Sequence, residues 1–161
     1  MERLPAERAL TAQVRAHTTI TNRPQGVPPM PVVNTSNAAM KADRRPEWSQ
    51  VTAAGRFRVP RSGGTFDRHY HDCDEYWLIY AGRAKVMTEG EEFYVGPGDI
   101  VCTRAGDEHD VVEVYEDLEA FFFEDVLFEG GRAGHLHRSP ELAERHEVTG
   151  RDVPAGFVRR A

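Results

Sequence analysis

Three residues in one short stretch have the types and the spacing of metal ligands. His69 and His71 are two positions apart, and Glu75 follows four positions later. Side chains alternate across a β-strand, so the two histidines project to the same face, about 7 Å apart along the backbone. Glu75 reaches that face whether the strand continues or residues 72–74 form a turn. Two imidazole nitrogens and a carboxylate oxygen on one side of a sheet are able to bind one metal ion.

His109 is the candidate for a fourth ligand. It follows a short β-like run at 100–103 and a polar loop, and in a closed sandwich it can face the first three residues. Three imidazoles and one carboxylate leave two positions open on an octahedral ion for water, dioxygen or a chelating substrate. This donor set suits Fe²⁺, Mn²⁺, Ni²⁺, Co²⁺ or Zn²⁺ alike, so the identity of the metal stays open. Cys73 has the parity of the ligands, but we expect it, like Cys102, to be a buried structural thiol.

The elements that must position these side chains are short strands. Runs of β-branched and aromatic residues between glycine-containing turns predict eight of them, at 55–60, 66–71, 75–80, 83–88, 91–95, 100–103, 109–115 and 118–128. The connections leave no room for crossover helices, which indicates antiparallel pairing in an all-β sandwich or barrel. Outside this region, residues 6–17 are typical of a short helix and the proline-rich residues 21–47 of an arm. Ser139, followed by a proline and a glutamate, predicts a C-terminal helix over 140–147.

The spacing resembles the two sequence motifs of the cupin superfamily. The first motif is matched at every position by Gly63, His69, His71, Glu75 and Gly82. The second motif is matched in part, by Gly98, Gly106 and His109. Arg104 stands where that motif has proline, and Glu113 stands where it has asparagine.

The resemblance implies both a fold and a ligand set. The fold is a double-stranded β-helix (the jelly-roll, or cupin, barrel) over residues 51–130, with an N-terminal arm at 1–50 and a C-terminal tail at 131–161. The implied metal ligands are His69, His71, Glu75 and His109.

Two residues beyond the ligands are candidates for proton transfer. Counting by twos from His109 puts Glu113 and Tyr115 on the ligand face, where they would move a proton at a bound substrate. A solvent-exposed position at the rim is the alternative for Glu113. Trp77 shares the parity of Glu75, which predicts an apolar cavity wall for a small organic ligand, with plain core packing as the alternative.

The remaining candidates are basic. Arg58 and Arg104 are predicted to hold a substrate carboxylate. For Arg58, the favoured alternative is an ion pair with one of the many acidic residues between positions 62 and 130. His135 and His137 form a second His-x-His. We expect these two histidines to be surface or lid residues.

Composition and charge exclude several classes of protein. Of the 161 residues, 40% are hydrophobic and 29% are charged, and two cysteines are too few for a disulfide framework. No apolar run approaches the ~20 residues that span a bilayer, so we expect a cytoplasmic protein without a membrane partner. The net charge of −6 conceals an acidic centre of −14 over residues 62–130, which disfavours nucleic-acid binding.

Two classes of function fit these observations. The resemblance implies a metal-dependent enzyme that acts on a small organic molecule, with dioxygenase-type, isomerase or lyase chemistry. A small-molecule-binding or sensing protein without turnover is the alternative. The middle of the predicted strand 118–128 is apolar on both faces. One face must pack against the barrel interior, and the other must pack against the arm or a second subunit. This pattern favours a homodimer.

Overall fold

The computed structural model of the protein describes residues 32–159, which form nine strands and one short 3₁₀ helix. The strands are β1 (Ala53–Val59), β2 (Gly64–Phe66), β3 (Glu75–Ala81), β4 (Ala84–Thr88), β5 (Glu91–Val95), β6 (Ile100–Thr103), β7 (His109–Val114), β8 (Leu118–Glu124) and β9 (His146–Gly150). The 3₁₀ helix spans Pro140–Ala143. The helix predicted over 6–17 and the first part of the predicted arm lie outside the described residues.

The strands form two sheets that face each other. One sheet has the order β1-β8-β3-β6 and the other the order β2-β9-β7-β4-β5. All the strand pairs are antiparallel except β7 with β9. This arrangement confirms the all-β double-stranded β-helix.

The core lies between the sheets and is made by alternate residues of each strand. Trp77 and Ile79 of β3 meet Val86 of β4 and Val111 of β7, and each of these side chains is at most 3% exposed. Phe57 and Phe66 pack edge-on against Trp77 at the end of the barrel that holds the ligand residues. Burial of these apolar side chains is the main source of stability for such a sandwich.

The observed strands depart from the predicted ones in three places. The predicted strand 66–71 is paired only as far as Phe66, and isolated bridges from His69 and Tyr70 hold the rest of it. The predicted strand 118–128 ends at Glu124. The predicted helix 140–147 is one 3₁₀ turn followed by β9, because pairing with β2 and β7 and the burial of Val148 outweigh the local helix signal. The predicted C-terminal tail therefore supplies a strand of the larger sheet.

The described part of the arm is attached to β1. Met40 and Ala54 exchange backbone hydrogen bonds of 2.7 and 3.0 Å. The guanidinium of Arg44 donates to the backbone carbonyls of Asn34, Ala38 and Ala39 at 2.7 to 3.1 Å, which holds the segment in a compact loop. This attachment places the described part of the arm beside the barrel.

The outer face of the four-stranded sheet carries large apolar side chains beside charged ones such as Arg58 and Glu119. The exposed apolar side chains are Leu78, Tyr80, Ile100 and Phe121. The homodimer stays a prediction. Within residues 32–159, no helix combines the length and the apolar character needed to cross a membrane.

Gly82 occupies a position where the fold requires glycine. Its φ is +80°, and a Cβ atom there would lie 2.0 Å from the backbone oxygen of Asp117. We predict that Gly82→Ala lowers the free energy of unfolding by at least about 2 kcal/mol, because strain and a backbone clash add. Gly90→Ala is the control, since Gly90 also has a positive φ but has nothing within 4 Å of a Cβ. Urea unfolding measures the loss of unfolding free energy in both variants. Equal losses in Gly82→Ala and Gly90→Ala would show that the contact with Asp117 adds nothing.

Candidate metal centre

Backbone contacts bring the four predicted ligands to one end of the barrel. Glu75 is the first residue of β3 and His109 the first residue of β7. His69 pairs with His109 through two backbone hydrogen bonds, of 3.3 and 2.9 Å. The backbone carbonyl of His71 accepts a hydrogen bond of 2.8 Å from the N–H of Gly106, so the loop before β7 also holds the segment after β2.

The ligating atoms of these four residues converge on one point. The Nε2 atom of His109 lies 2.9 Å from Nε2 of His69 and 2.8 Å from Oε2 of Glu75. The Nε2 atom of His71 lies 3.6 Å from the same Glu75 oxygen. All four side chains are at most 5% exposed. We refer to His69, His71, Glu75 and His109 as the four-ligand cluster.

The protonation state of the cluster suits a metal ion. Burial lowers the pKa of His69 to about 2 and that of His71 to about 4, so both imidazoles are neutral at pH 7. His69 donates from Nδ1 to the backbone carbonyl of Asp67 at 2.7 Å, which leaves the lone pair of Nε2 directed into the cluster. Among the described residues, the buried Nε2 of His71 has no hydrogen-bond partner. The cluster is therefore able to hold a divalent metal ion.

A second group of polar side chains supports His69 from behind, and sequence reasoning missed it. Asp67 is buried, and its Oδ2 accepts hydrogen bonds from Nδ1 of His135 at 2.7 Å and from Nε2 of His137 at 3.1 Å. Burial alone would raise the pKa of Asp67, but these hydrogen bonds outweigh it and lower the pKa to about 2. The rings of His135 and His69 stack at a centroid distance of 3.5 Å and an interplanar angle of 4°.

The segment 131–138 carries these two histidines across the cluster. Tyr70 and Leu136 exchange backbone hydrogen bonds, and the guanidinium of Arg132 donates to Asp72 at 3.1 Å. His135 and His137 were expected at the surface or in a lid, and their carboxylate partner was not predicted. Asp67 lies 68 residues before His135, so sequence spacing does not connect them. The repeated His-x-His pattern was the available signal.

A cavity of about 270 Å³ opens beside the cluster. Its lining includes His69 and Glu75 together with four aromatic side chains: Phe57, Phe66, Trp77 and Phe122. Trp77 meets the ring of His109 edge-on at a centroid distance of 5.1 Å, so it packs in the core and lines the cavity at the same time.

Glu124 is a further carboxylate in this cavity that the sequence did not single out. It is buried, and it lies directly opposite Glu75 in the register of β3 and β8. Burial and the charge of Glu75 raise the pKa of Glu124. The nearby thiol of Cys73 is buried as expected, and burial together with surrounding carboxylates raises its pKa to about 12. Cys73 is therefore a neutral thiol at pH 7.

The expectation that Glu113 and Tyr115 face the ligands was wrong. A β-bulge in β7 shifts the register between the partners of Lys85 and Val86, and the alternation of side chains reverses after Val111. The carboxylate of Glu113 instead binds Arg151 at 2.7 Å and accepts a hydrogen bond of 2.7 Å from the hydroxyl of Tyr115. Both residues lie four or more positions beyond His109, about 13 Å along the strand.

The two arginines predicted to hold substrate also lie elsewhere. Arg58 points outward and pairs with Asp117, which is the favoured alternative for that residue. Arg104 is exposed and pairs with Glu89 at 3.0 Å. Neither side chain lines the cavity beside the cluster. Cys102 is exposed rather than buried, because it alternates outward on the edge strand β6.

Comparison with known proteins places these observations in a family. Residues 55–123 match the profile of the family described as Cupin domain. A stretch of 71 residues is 45% identical to an uncharacterized protein, y4oW, of Sinorhizobium fredii. The match covers 44% of this chain and 33% of that protein, so the chain spans about a third of the length of its curated relative.

Two solved structures are similar to this chain. The DMSP lyase DddQ of Ruegeria pomeroyi is 26% identical, with a TM-score of 0.50 over 58% of this chain and 46% of that one. A predicted oxalate decarboxylase of Thermotoga maritima is 22% identical, with a TM-score of 0.44 over 48% of this chain and 69% of that one.

We predict that His71→Ala strongly weakens metal binding, because it removes one of the four buried donors. His146→Ala is the matched control, since His146 is half-buried, pairs with Asp110 and lies outside the cluster. Elemental analysis of both proteins, purified without chelator, measures the metal content. Wild-type metal content in His71→Ala would refute the assignment of this ligand.

The metal-free protein should lose stability as the pH falls from about 6.5 to about 4. In this range the histidines of the unfolded chain bind protons, whereas His69 and His71 in the folded chain do not, because their pKa values are about 2 and about 4. Each such proton lowers the free energy of unfolding by about 1.4 kcal/mol per pH unit. Urea unfolding in the presence of a chelator measures the slope, and His71→Asn should reduce it. A stability that is constant over this range would contradict the buried neutral imidazoles.

Proposed function

We propose that the chain, which belongs to the cupin superfamily, is a metal-dependent enzyme that transfers a proton on a small organic molecule, as a lyase or an isomerase does. The observation that carries this proposal is the convergence of four ligating atoms beside a cavity that His69, Glu75 and Glu124 line together with four aromatic side chains. An exclusively structural role would not require a cavity at that position.

The cavity suits a small substrate. Its volume of about 270 Å³ is near the lower limit of known ligand sites. Four aromatic side chains form the apolar part of the wall, and the low polarity on that side strengthens electrostatic interactions inside. When bound, a divalent metal supplies Lewis-acid polarisation of a substrate oxygen, which acidifies an adjacent C–H bond.

Glu124 is the group best placed to accept that proton. Its carboxylate lines the cavity and, among the described residues, forms neither a hydrogen bond nor an ion pair. Asp67 is less suitable, because two histidine donors already occupy its Oδ2. The raised pKa of Glu124 brings this carboxyl closer to neutral pH, where a general acid–base group is most effective.

The hydrogen-bonded group behind His69 acts by positioning. Asp67 fixes the tautomer of His69 through its backbone carbonyl, and His135 covers the other face of the ring. The likeness to DddQ, at a TM-score of 0.50, supports the lyase form of the proposal. It covers less than half of that protein, so the substrate is not transferred from it.

The proposal is tested by turnover with and without oxygen. The metal-loaded protein is incubated under air and under argon with β-substituted carboxylic acids, keto acids and phenols, and products are followed by NMR and oxygen uptake. The expected result is turnover under argon. Turnover that requires oxygen uptake would replace the proposal with a dioxygenase, and ligand-induced stabilisation without any turnover would indicate a binding protein.

We predict that Glu124→Gln retains the metal and lowers kcat by at least about a hundredfold, because a carboxamide cannot accept the proton. Glu113→Gln is the control, since its carboxylate pairs with Lys85 and Arg151 away from the cavity. It should retain both metal and turnover. Wild-type turnover in Glu124→Gln, or a loss confined to Glu113→Gln, would reject the assignment.

A further inference from the structure

We propose that Lys41 and Arg145 form a subsite that binds the carboxylate group of the substrate. The proposal rests on the proposed function, because it concerns the same cavity. Both side chains line that cavity together with His69 and Glu75. Both come from segments outside residues 55–123, so they belong to the flanks of this chain and not to the matched cupin domain.

The position of Lys41 follows from the attachment of the arm. Lys41 comes directly after Met40, whose backbone is hydrogen-bonded to Ala54 of β1. Arg44 binds three carbonyls of the preceding residues and so holds the loop closed. The cation is therefore presented from a fixed backbone, which lowers the entropic cost of binding a ligand.

The position of Arg145 follows from the strand after it. Arg145 comes directly before β9, which pairs with β2, and its Nη2 donates to the backbone carbonyl of Thr65 at 2.6 Å. Among the described residues, this is the one hydrogen bond of its guanidinium. The other N–H groups are able to donate to a carboxylate, for which a planar guanidinium is well matched.

The charges of these two residues are not neutralised by the protein. Most of the described arginines that lie on the barrel are paired with a carboxylate, including Arg58, Arg83 and Arg104. Neither Lys41 nor Arg145 forms an ion pair with any described acidic residue, although three carboxylates line or adjoin the cavity. Lys41 acts on Glu124 only through its electrostatic field.

The lining of the cavity narrows the class of anion. A volume of about 270 Å³ lies just below the range of known ligand sites, which favours a ligand smaller than a nucleotide. Asp67, Glu75 and Glu124 disfavour a dianion such as a phosphate monoester. The aromatic walls favour an apolar or unsaturated body. These constraints indicate a small monocarboxylate, with its charged end at Lys41 and Arg145.

The test compares two probes that share a shape and differ in charge, benzoate and benzamide. Isothermal titration of the metal-loaded protein measures Kd for wild type, Lys41→Met, Arg145→Met and the control Arg104→Met, whose side chain pairs with Glu89 outside the cavity. Any direct contact between the probe and the metal is the same in all four proteins. Elemental analysis and circular dichroism verify that each variant retains its metal and its fold.

We expect each of the two cavity substitutions to weaken benzoate binding by about tenfold or more, because a charge-assisted contact is lost. Benzamide binding should change by less than about twofold, and Arg104→Met should match wild type. Unchanged benzoate affinity in both variants, equal losses for the two probes, or tighter binding of methyl phosphate than of benzoate would overturn the subsite. A wild-type protein that does not retain metal would contradict the proposed function and not the subsite. Failure of the subsite and failure of the proposed function therefore give different results.

Discussion

The candidate metal centre depends on one backbone pairing, between His69 and His109. These residues are 40 positions apart, and their two hydrogen bonds, of 3.3 and 2.9 Å, bring the Nε2 atoms within 2.9 Å of each other. The hydrogen bond from Gly106 to His71 adds a second connection between the same two segments. A shift of one residue in this pairing would turn one of the histidines to the opposite face.

Burial gives the cluster its chemical character. Buried polar groups are costly unless they have partners, and the surrounding protein satisfies part of this requirement through Asp67, His135 and His137. The same burial keeps His69 and His71 neutral at pH 7, which is the form that binds a metal. The segment 131–138 thus completes a centre whose ligands come from the barrel.

The barrel and its flanking segments contribute different side chains to the cavity. The matched residues 55–123 supply the four-ligand cluster and the aromatic wall, including Trp77. The flanks supply Lys41, His135 and Arg145, and Glu124 lies one position beyond the match. Folds of this kind host many chemistries, and differences between members reside in the groups that surround a shared site. In this chain the flanks therefore supply both cations of the cavity.

The sequence by itself determined most strands of the barrel and the shared face of His69, His71 and Glu75, because side-chain alternation and glycine turns act over a few residues. The resemblance to the cupin motifs added His109. Tertiary structure decided everything that depends on distant partners. The bulge in β7 turned Glu113 away from the cluster, and pairing with β2 and β7 made residues 146–150 a strand instead of a helix. The positions of His135 and Glu124 were not predicted for the same reason. His135 meets Asp67, and Glu124 lies opposite Glu75, only in the folded chain. The spacing of residues along a strand predicts which face of the sheet each side chain occupies. Contacts between residues that are far apart in the chain form only when the sheets pack together.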